Sequence, residues 1–355
     1  MPAKPATVTR PTSHVPPTAP PAIAAATRTP DRSINTPALA NPSPSSQSIG
    51  SPHATPVQVW EVETLLVAPG EPGRLCALMK DGSGPLWAFP ASNVRLMISD
   101  DFAKSWAPFP GGLPVPAACM VNVNLDYATP DALYASTCQG LYVWDRDGNT
   151  WAKRSDRLTD AVAVAFGQPN NVWADAHGDG VIRSTDGGRT WQDASTGLIT
   201  FGGMANLGID PRDNNALYGI IQPKYAGSYL HRGTGDGQWQ TMPTPKDNAT
   251  IETGMTIDGA TGSLYVTTQA SPYELWQSVN SNAPNLAEVL WELIHSFEQD
   301  ARASLLASGW GPQGMALYAN IWPLTPLEGG GATVGNAVLH RSLDGGQTWE
   351  PLATP

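Results

Sequence analysis

The sequence predicts an all-β ring of repeated four-stranded units behind a long irregular tail, and three observations predict it. A tryptophan recurs at positions 106, 151, 191, 239, 291 and 349, with intervals of 45, 40, 48, 52 and 58 residues. A unit of four short strands takes about 40–50 residues, so the last two units carry longer loops. A turn built from Ser, Asp, Gly and Thr stands before the tryptophan, and an apolar pair in a strand-like run lies upstream of it.

The turn is clearest in two copies, Arg183-Ser-Thr-Asp-Gly-Gly-Arg-Thr-Trp191 and Arg341-Ser-Leu-Asp-Gly-Gly-Gln-Thr-Trp349. A third copy, Ser99-Asp-Asp-Phe-Ala-Lys-Ser-Trp106, keeps the spacing with Ala103 in place of Gly. Asp145–Trp151 is one residue short, Gly233–Trp239 is eroded, and Ser278–Trp291 carries an insertion. The apolar pairs are Leu75-Cys76, Leu133-Tyr134, Val172-Trp173, Leu217-Tyr218, Leu264-Tyr265 and Leu317-Tyr318. Acidic turns precede several of them, as in Asp126–Asp131 and Asp210–Asn215. The expected order is strand, acidic turn, strand, variable loop, strand, Asp-Gly turn, and a strand ending in Trp. That meander is the blade of a β-propeller. Six blades are read directly. Trp60 precedes Trp106 by 46 residues, so Val57–Glu61 is expected as an outer strand of a seventh blade or a closing strand, and seven blades stay open.

Residues 1–56 are rich in Pro, Thr, Ser and Ala and hold no Phe, Tyr or Trp. Such a segment buries too little apolar surface to offset the cost of ordering its backbone. It is expected to be a disordered, polyproline-leaning linker or stalk, with the propeller at 57–355. The 355 residues include 35 Gly, 34 Pro and 13 Trp but only 14% charged residues, which suits short strands and many turns. The net charge of −11 repels nucleic acid in the absence of a basic stripe, and none is found. No apolar run reaches the roughly 18–20 residues of a membrane span. The N-terminus does not read as an export signal, because Ala22–Ala26 is short and flanked by prolines.

The pattern Ser-x-Asp-x-Gly-x-Thr-Trp resembles the Asp-box, or bacterial neuraminidase repeat. That repeat occurs in sialidases, xyloglucan-degrading glycosidases, sortilin-type receptors and photosystem II assembly factor-like propellers. The resemblance covers residues of roughly 57–355 and implies the fold more than any one activity. Ser99, Asp101, Trp106, Ser184, Asp186, Gly188, Thr190, Trp191, Ser342, Asp344, Gly346, Thr348 and Trp349 are its structural residues. The Asp accepts hydrogen bonds from its own turn, the Gly takes positive φ, and the Trp packs between blades. In the resembled families this turn lies on the face away from the ligand.

Functional candidates therefore come from the opposite, upper face. Its longer loops are Lys80–Asn93 and Trp322–Asn336. Trp87, Tyr225, Tyr273 and Trp322 are the ligand-binding candidates, since aromatic faces stack on sugar rings. Glu274 and Glu328 are the candidate catalytic acids of a glycoside hydrolase. The crossings between blades add Asp160, Glu252, Glu298, Asp300 and Arg302.

A sialidase needs three arginines clamping a carboxylate. Arg183, Arg232 and Arg341 sit beside the Asp-Gly turns, which leaves Arg154, Arg157 and Arg302, and the early Arg-Ile-Pro signature of that family is absent. No nucleophile elbow, phosphate loop or His-Glu-x-x-His appears. The histidines, His177 near Asp179 included, are isolated, so neither metal nor cofactor is expected.

Cys119 and Cys138 flank Asp126–Asp131. Were that turn to close an antiparallel hairpin, residues whose numbers sum to 257 would face each other, placing Cys119 opposite Cys138 within disulfide range. Cys76 is expected to be buried and inert. The reading is a monomeric, secreted or envelope-attached recognition or scaffold propeller for a glycan or protein, with a glycoside hydrolase as the alternative.

Overall fold

The structure, a computed structural model, describes residues 60–81, 94–116, 124–177, 179–198, 202–223, 227–246, 251–269, 272–311, 314–328 and 330–354. It is all-β, with six four-stranded antiparallel blades, so the six-bladed reading holds. Blade 1 holds β1 (Trp60–Ala68), β2 (Glu71–Asp81), β3 (Val94–Ser99) and β4 (Ala107–Pro108). Blade 2 holds β5 (Asn124–Thr129), β6 (Ala132–Thr137), β7 (Gly140–Asp145) and β8 (Thr150–Ser155). Blade 3 holds β9 (Val162–Val164), β10 (Val172–Asp175), β11 (Val181–Ser184) and β12 (Gln192–Asp193). Blade 4 holds β13 (Gly202–Asp210), β14 (Asp213–Pro223), β15 (Tyr229–Thr234) and β16 (Trp239–Thr241). Blade 5 holds β17 (Ile251–Ile257), β18 (Leu264–Thr268), β19 (Glu274–Ser278) and β20 (Glu292–Ser296). Blade 6 holds β21 (Ala301–Gly311), β22 (Gly314–Pro326), β24 (Val338–Ser342) and β25 (Glu350–Pro351), with β23 (Ala332–Val334) added to the far end of β22.

The first strand of each blade is innermost, and β1, β5, β9, β13, β17 and β21 follow one another around the axis. The core is not one mass but seven clusters among the described residues, one in each of the six seams and a small one of Ala174, Ala176 and Ile182 within blade 3. Blades 5 and 6, for example, meet through Tyr265, Leu275, Leu305 and Leu317. Blades 3 and 4 meet through Trp173, Leu207, Leu217 and Trp239.

The underside repeats one piece of local chemistry. In blade 3 the Ser184 hydroxyl accepts Gly188 N–H at 2.8 Å and donates to Asp186 at 2.8 Å. Asp186 in turn accepts Thr190 N–H at 2.9 Å and the Thr190 hydroxyl at 2.7 Å. Ser342, Asp344, Gly346 and Thr348 repeat this in blade 6, and Ser99, Asp101, Ala103 and Ser105 repeat it in blade 1. The insertion in blade 5 keeps half of the device: Asn280 stands where the others have Asp, and its Oδ1 accepts Leu290 N–H just before Trp291. Gly188 and Gly346 take φ of 87° and 97°, whereas blade 1 puts Phe102 and Ala103 at 64° and 63°.

Each turn also ties the seams. Trp151, Trp239 and Trp291 donate their indole N–H back to the preceding blade's carbonyls at Gly112, Ala194 and Pro243. Arg183, Arg232 and Arg341 reach forward, to Gly235, to Ser281 and Ala283, and to Phe102. The arginines beside the turns are therefore clamps between blades. Arg154 is no upper-face group either: its Cβ packs 3.8 Å from where a side chain on Gly188 would begin.

Three sequence expectations are corrected. The repeated Trp opens the outermost strand rather than ending it, because the turn closes directly onto it. Trp60 starts the innermost strand of blade 1, not an outer strand. The ring closes where Asn320 donates to the Val62 carbonyl at 2.7 Å and the Glu61 carboxylate accepts Ala337 N–H at 2.9 Å. In the β5–β6 hairpin, Asn124 faces Ser136 and Asp126 faces Tyr134, so partners sum to 260 rather than 257. The turn is the tight Pro130-Asp131 step, and Asp126 lies in the strand.

Candidate functional site

With the hairpin turns and the Ser-x-Asp turns on the underside, the upper face consists of the blade-to-blade crossings and the loops between second and third strands. Glu274 opens β19 there and is buried, at 6% exposure. Lys246 Nζ lies 2.6 Å from its carboxylate, and Trp276 Nε1 donates to it at 3.1 Å. The same ammonium stands 5.6 Å over the Trp276 ring. Tyr273, its neighbour, packs into the seam of blades 5 and 6.

Trp322 lies on β22 opposite Arg302, whose guanidinium stands 5.1 Å from the ring centroid. Beyond Trp322 the strand runs on and pairs with β23, forming a hairpin with exposed Leu327 and Val334. Glu328 is exposed in its turn, which Leu327 and Gly331 close at 3.0 Å. Asp300 anchors the base of this hairpin through a 2.6 Å bond from Leu324 N–H to its carbonyl. Trp87 and Tyr225 lie outside the described residues, as does the side chain of Glu252.

A second constellation forms on blade 3. His177 Nδ1 is 2.8 Å from Asp160 Oδ1, and this hydrogen bond, then the charges of Asp160, Asp175 and Asp179, raises the imidazole pKa. His177 holds φ of 54°, a conformation that costs a non-glycine residue energy and needs surrounding structure to hold it. Asp175 is buried at the end of β10 and accepts Met204 N–H of blade 4 at 2.9 Å. A methyl group on Gly203 would lie 3.8 Å from Asp175 Oδ2 and 4.0 Å from Asp160 Oδ2, so the two carboxylates are at most about 8 Å apart.

Sequence reasoning named Asp160 and His177 but missed Asp175 and Lys246. The signal for Asp175 was a lone acid ending the buried run Val172-Trp173-Ala174, and a partner across the seam explains it. Among the described residues, no group of three His, Cys, Asp or Glu is placed to hold a metal ion. Cys138 is disulfide-bonded and Cys76 is a buried free thiol, while Cys119 lies outside the described residues. No described helix is long and apolar enough to cross a membrane.

No family model and no curated protein matches the sequence. Solved structures match the fold. The GH74 xyloglucanase from Xanthomonas campestris is 17% identical with a TM-score of 0.50, over 84% of this chain and 47% of that one. The GH74 enzyme of Niastella koreensis is 13% identical with a TM-score of 0.49, over 82% and 59%. YCF48 from Cyanidioschyzon merolae is 13% identical with a TM-score of 0.47, over 83% and 85%. The chain thus spans about half the length of the GH74 proteins. At such identities the likeness shows the fold alone.

Proposed function

We propose that this chain is a non-catalytic recognition or scaffold propeller of the Asp-box type, secreted or envelope-attached, that receives a glycan or protein on its upper face as a monomer. The observation that carries the reading is the state of Glu274. Lys246 and Trp276 occupy its carboxylate in a buried site, so it serves as an anchor for the crossing rather than a proton donor facing substrate. Glu328 stands exposed in a hairpin turn. The projecting hairpin of blade 6 and the Arg302–Trp322 stack supply a polar-aromatic contact surface instead.

The second reading, a glycoside hydrolase, has its own observation. The Asp160 and Asp175 carboxylates lie no more than about 8 Å apart, under the upper limit of roughly 10 Å for two-carboxylate hydrolysis. Asp175 is buried and Asp160 is partly exposed beside a histidine, an asymmetry suited to distinct roles.

Incubating the full chain with polysaccharide and sialoside panels, with binding and sugar release both recorded, tests the two. Binding without release, lost in Trp322→Ala, supports the scaffold. Release that disappears in Asp160→Asn and Asp175→Asn overturns it in favour of the enzyme.

A further inference from the structure

Around the axis the inner strands enclose a cavity of about 290 Å³, to which all six contribute. Its lining takes the middle and later residues of those strands together with Pro69, Phe166 and Pro211 from the underside turns, so it lies toward the underside. The lining mixes aliphatic residues, Leu66 and Val67 among them, with polar ones such as Thr64, Asn206, Thr256 and Ser308.

One carboxylate stands in this setting. Asp126 lines the cavity from β5, and its Oδ2 accepts Val164 N–H of blade 3 at 2.6 Å while Oδ1 accepts Tyr127 N–H at 2.8 Å. Two other lining residues among those described ionise. Glu63, on β1, is ion-paired with Lys80. Tyr127, on β5, is buried and held in its neutral form. The lining residues from β9, β13, β17 and β21 carry no charge. Among the described residues Asp126 therefore has backbone dipoles for partners but no cation, and a partly buried carboxylate without one is costly.

We propose that the axial cavity is a socket for a primary alkylammonium group, its nitrogen on Asp126 and its short alkyl stem beside the aliphatic part of the lining. The chemistry fits on three counts. An ammonium supplies the missing charge and three N–H donors. A four-carbon stem finds aliphatic side chains in the lining, such as Leu66 and Val67, to lie against. An overall charge of −11 also draws cations toward the protein. The shared group is carried by a free amine and by a lysine side chain of a partner. The inference stands apart from the upper-face reading, since the site lies on the axis.

Burial pushes the Asp126 carboxyl up to about 7, against the pull of its two N–H donors. Only the ionised form holds an ammonium. About 3% of it is ionised at pH 5.5 and about 90% at pH 8, so affinity should rise roughly 30-fold between them.

The test uses the full chain, calorimetric titration with n-butylammonium, and carbon-detected NMR of the Asp126 carboxyl. Butylammonium should bind at pH 8, lose about 30-fold at pH 5.5, and move the Asp126 titration to lower pH. Neutral n-butanol, of the same shape, should leave that titration where it is. Nα-acetyl-lysine methylamide separates the sources: if it binds as well, a lysine side chain enters the socket, and if it does not, the ligand is a free amine. Equal binding of butanol, an unmoved Asp126 titration, or undiminished binding to Asp126→Asn would each overturn the proposal. The NMR readout on the unaltered protein decides the matter even if that variant folds poorly.

Discussion

The underside and the upper face of this ring are built on different terms. Underneath, a few contacts recur from blade to blade: a Ser hydroxyl takes a turn N–H, an Asp or Asn takes the N–H before the Trp, and an Arg reaches forward. Above, the described connections differ. Blade 2 turns tightly at Cys138-Gln139, blade 3 turns through His177 in a positive-φ conformation, and blade 6 extends β22 to thirteen residues. The difference teaches where specification resides. Repeated local bonds fix the seams from below, which leaves the loops above free to vary, the usual division between scaffold and recognition.

The sharpest way to break that comparison is to truncate one aromatic on each face. Trp239 is 3% exposed, donates to Ala194 at 2.7 Å, and packs its ring against Gly233. Trp239→Ala should open a cavity in the seam of blades 3 and 4 and cost about 3–5 kcal/mol, read as a shift in denaturation midpoint. A loss under about 1 kcal/mol would mean that the seams are not fixed from the underside. The next effect down is Ser184→Ala. It removes the buried acceptor of Gly188 N–H and should cost about 1–2 kcal/mol.

How much of this was legible in the sequence follows the same division. The underside could be read because its device is local: Ser184, Asp186, Gly188 and Thr190 bond to one another within a few residues, so spacing alone carries them. Even Ser278–Trp291, with its insertion, kept a partner for the N–H before Trp. The upper face was legible only in part, because its contacts join distant residues. Glu274 meets Lys246 across 28 positions, and Asp175 meets Met204 across 29. The hairpin register missed by three because Asp126 looked like a turn residue, whereas it is a strand residue bonded to Val164 in the next blade.

Acid and alkali should separate the staples from the axis. Hydrogen bonds from Ser105 hold Asp101 down at about 2, those from Thr348 hold Asp344 at about 2, and those from Thr190 take Asp186 lower still. These carboxyls bind protons more readily when unfolded, so their contribution is present above about pH 4 and drains away as pH falls toward 2. Asp126 runs the other way. Its raised value means the folded state holds the proton more firmly, so that contribution is present in acid and lost as pH rises through about 7. Denaturation midpoints followed from pH 2 to 9 should rise, then decline. Asp344→Asn should make the acid limb shallower without touching the decline toward pH 7, and Asp126→Asn should remove its share of that decline alone. Movement of both limbs by either variant would show that the two carboxylate classes are coupled.

The smallest stability effect belongs to the residue with the largest expected functional one. Trp322 is half-buried, and its face is covered by the Arg302 guanidinium rather than by a neighbouring blade. Removing its ring takes a stacking partner from a half-buried arginine, and it opens no seam. Trp322→Ala should therefore lower stability by less than about 1 kcal/mol. Capture of any glycan or protein by the upper face should nevertheless fall at least tenfold, because desolvated aromatics carry a disproportionate share of binding energy. Matched denaturation and binding curves on the one variant give both numbers. A large stability loss would make Trp322 a second kind of staple and erase the contrast between the faces. A silent binding result would move the recognition surface away from blade 6, toward the Asp160–His177 side of the ring.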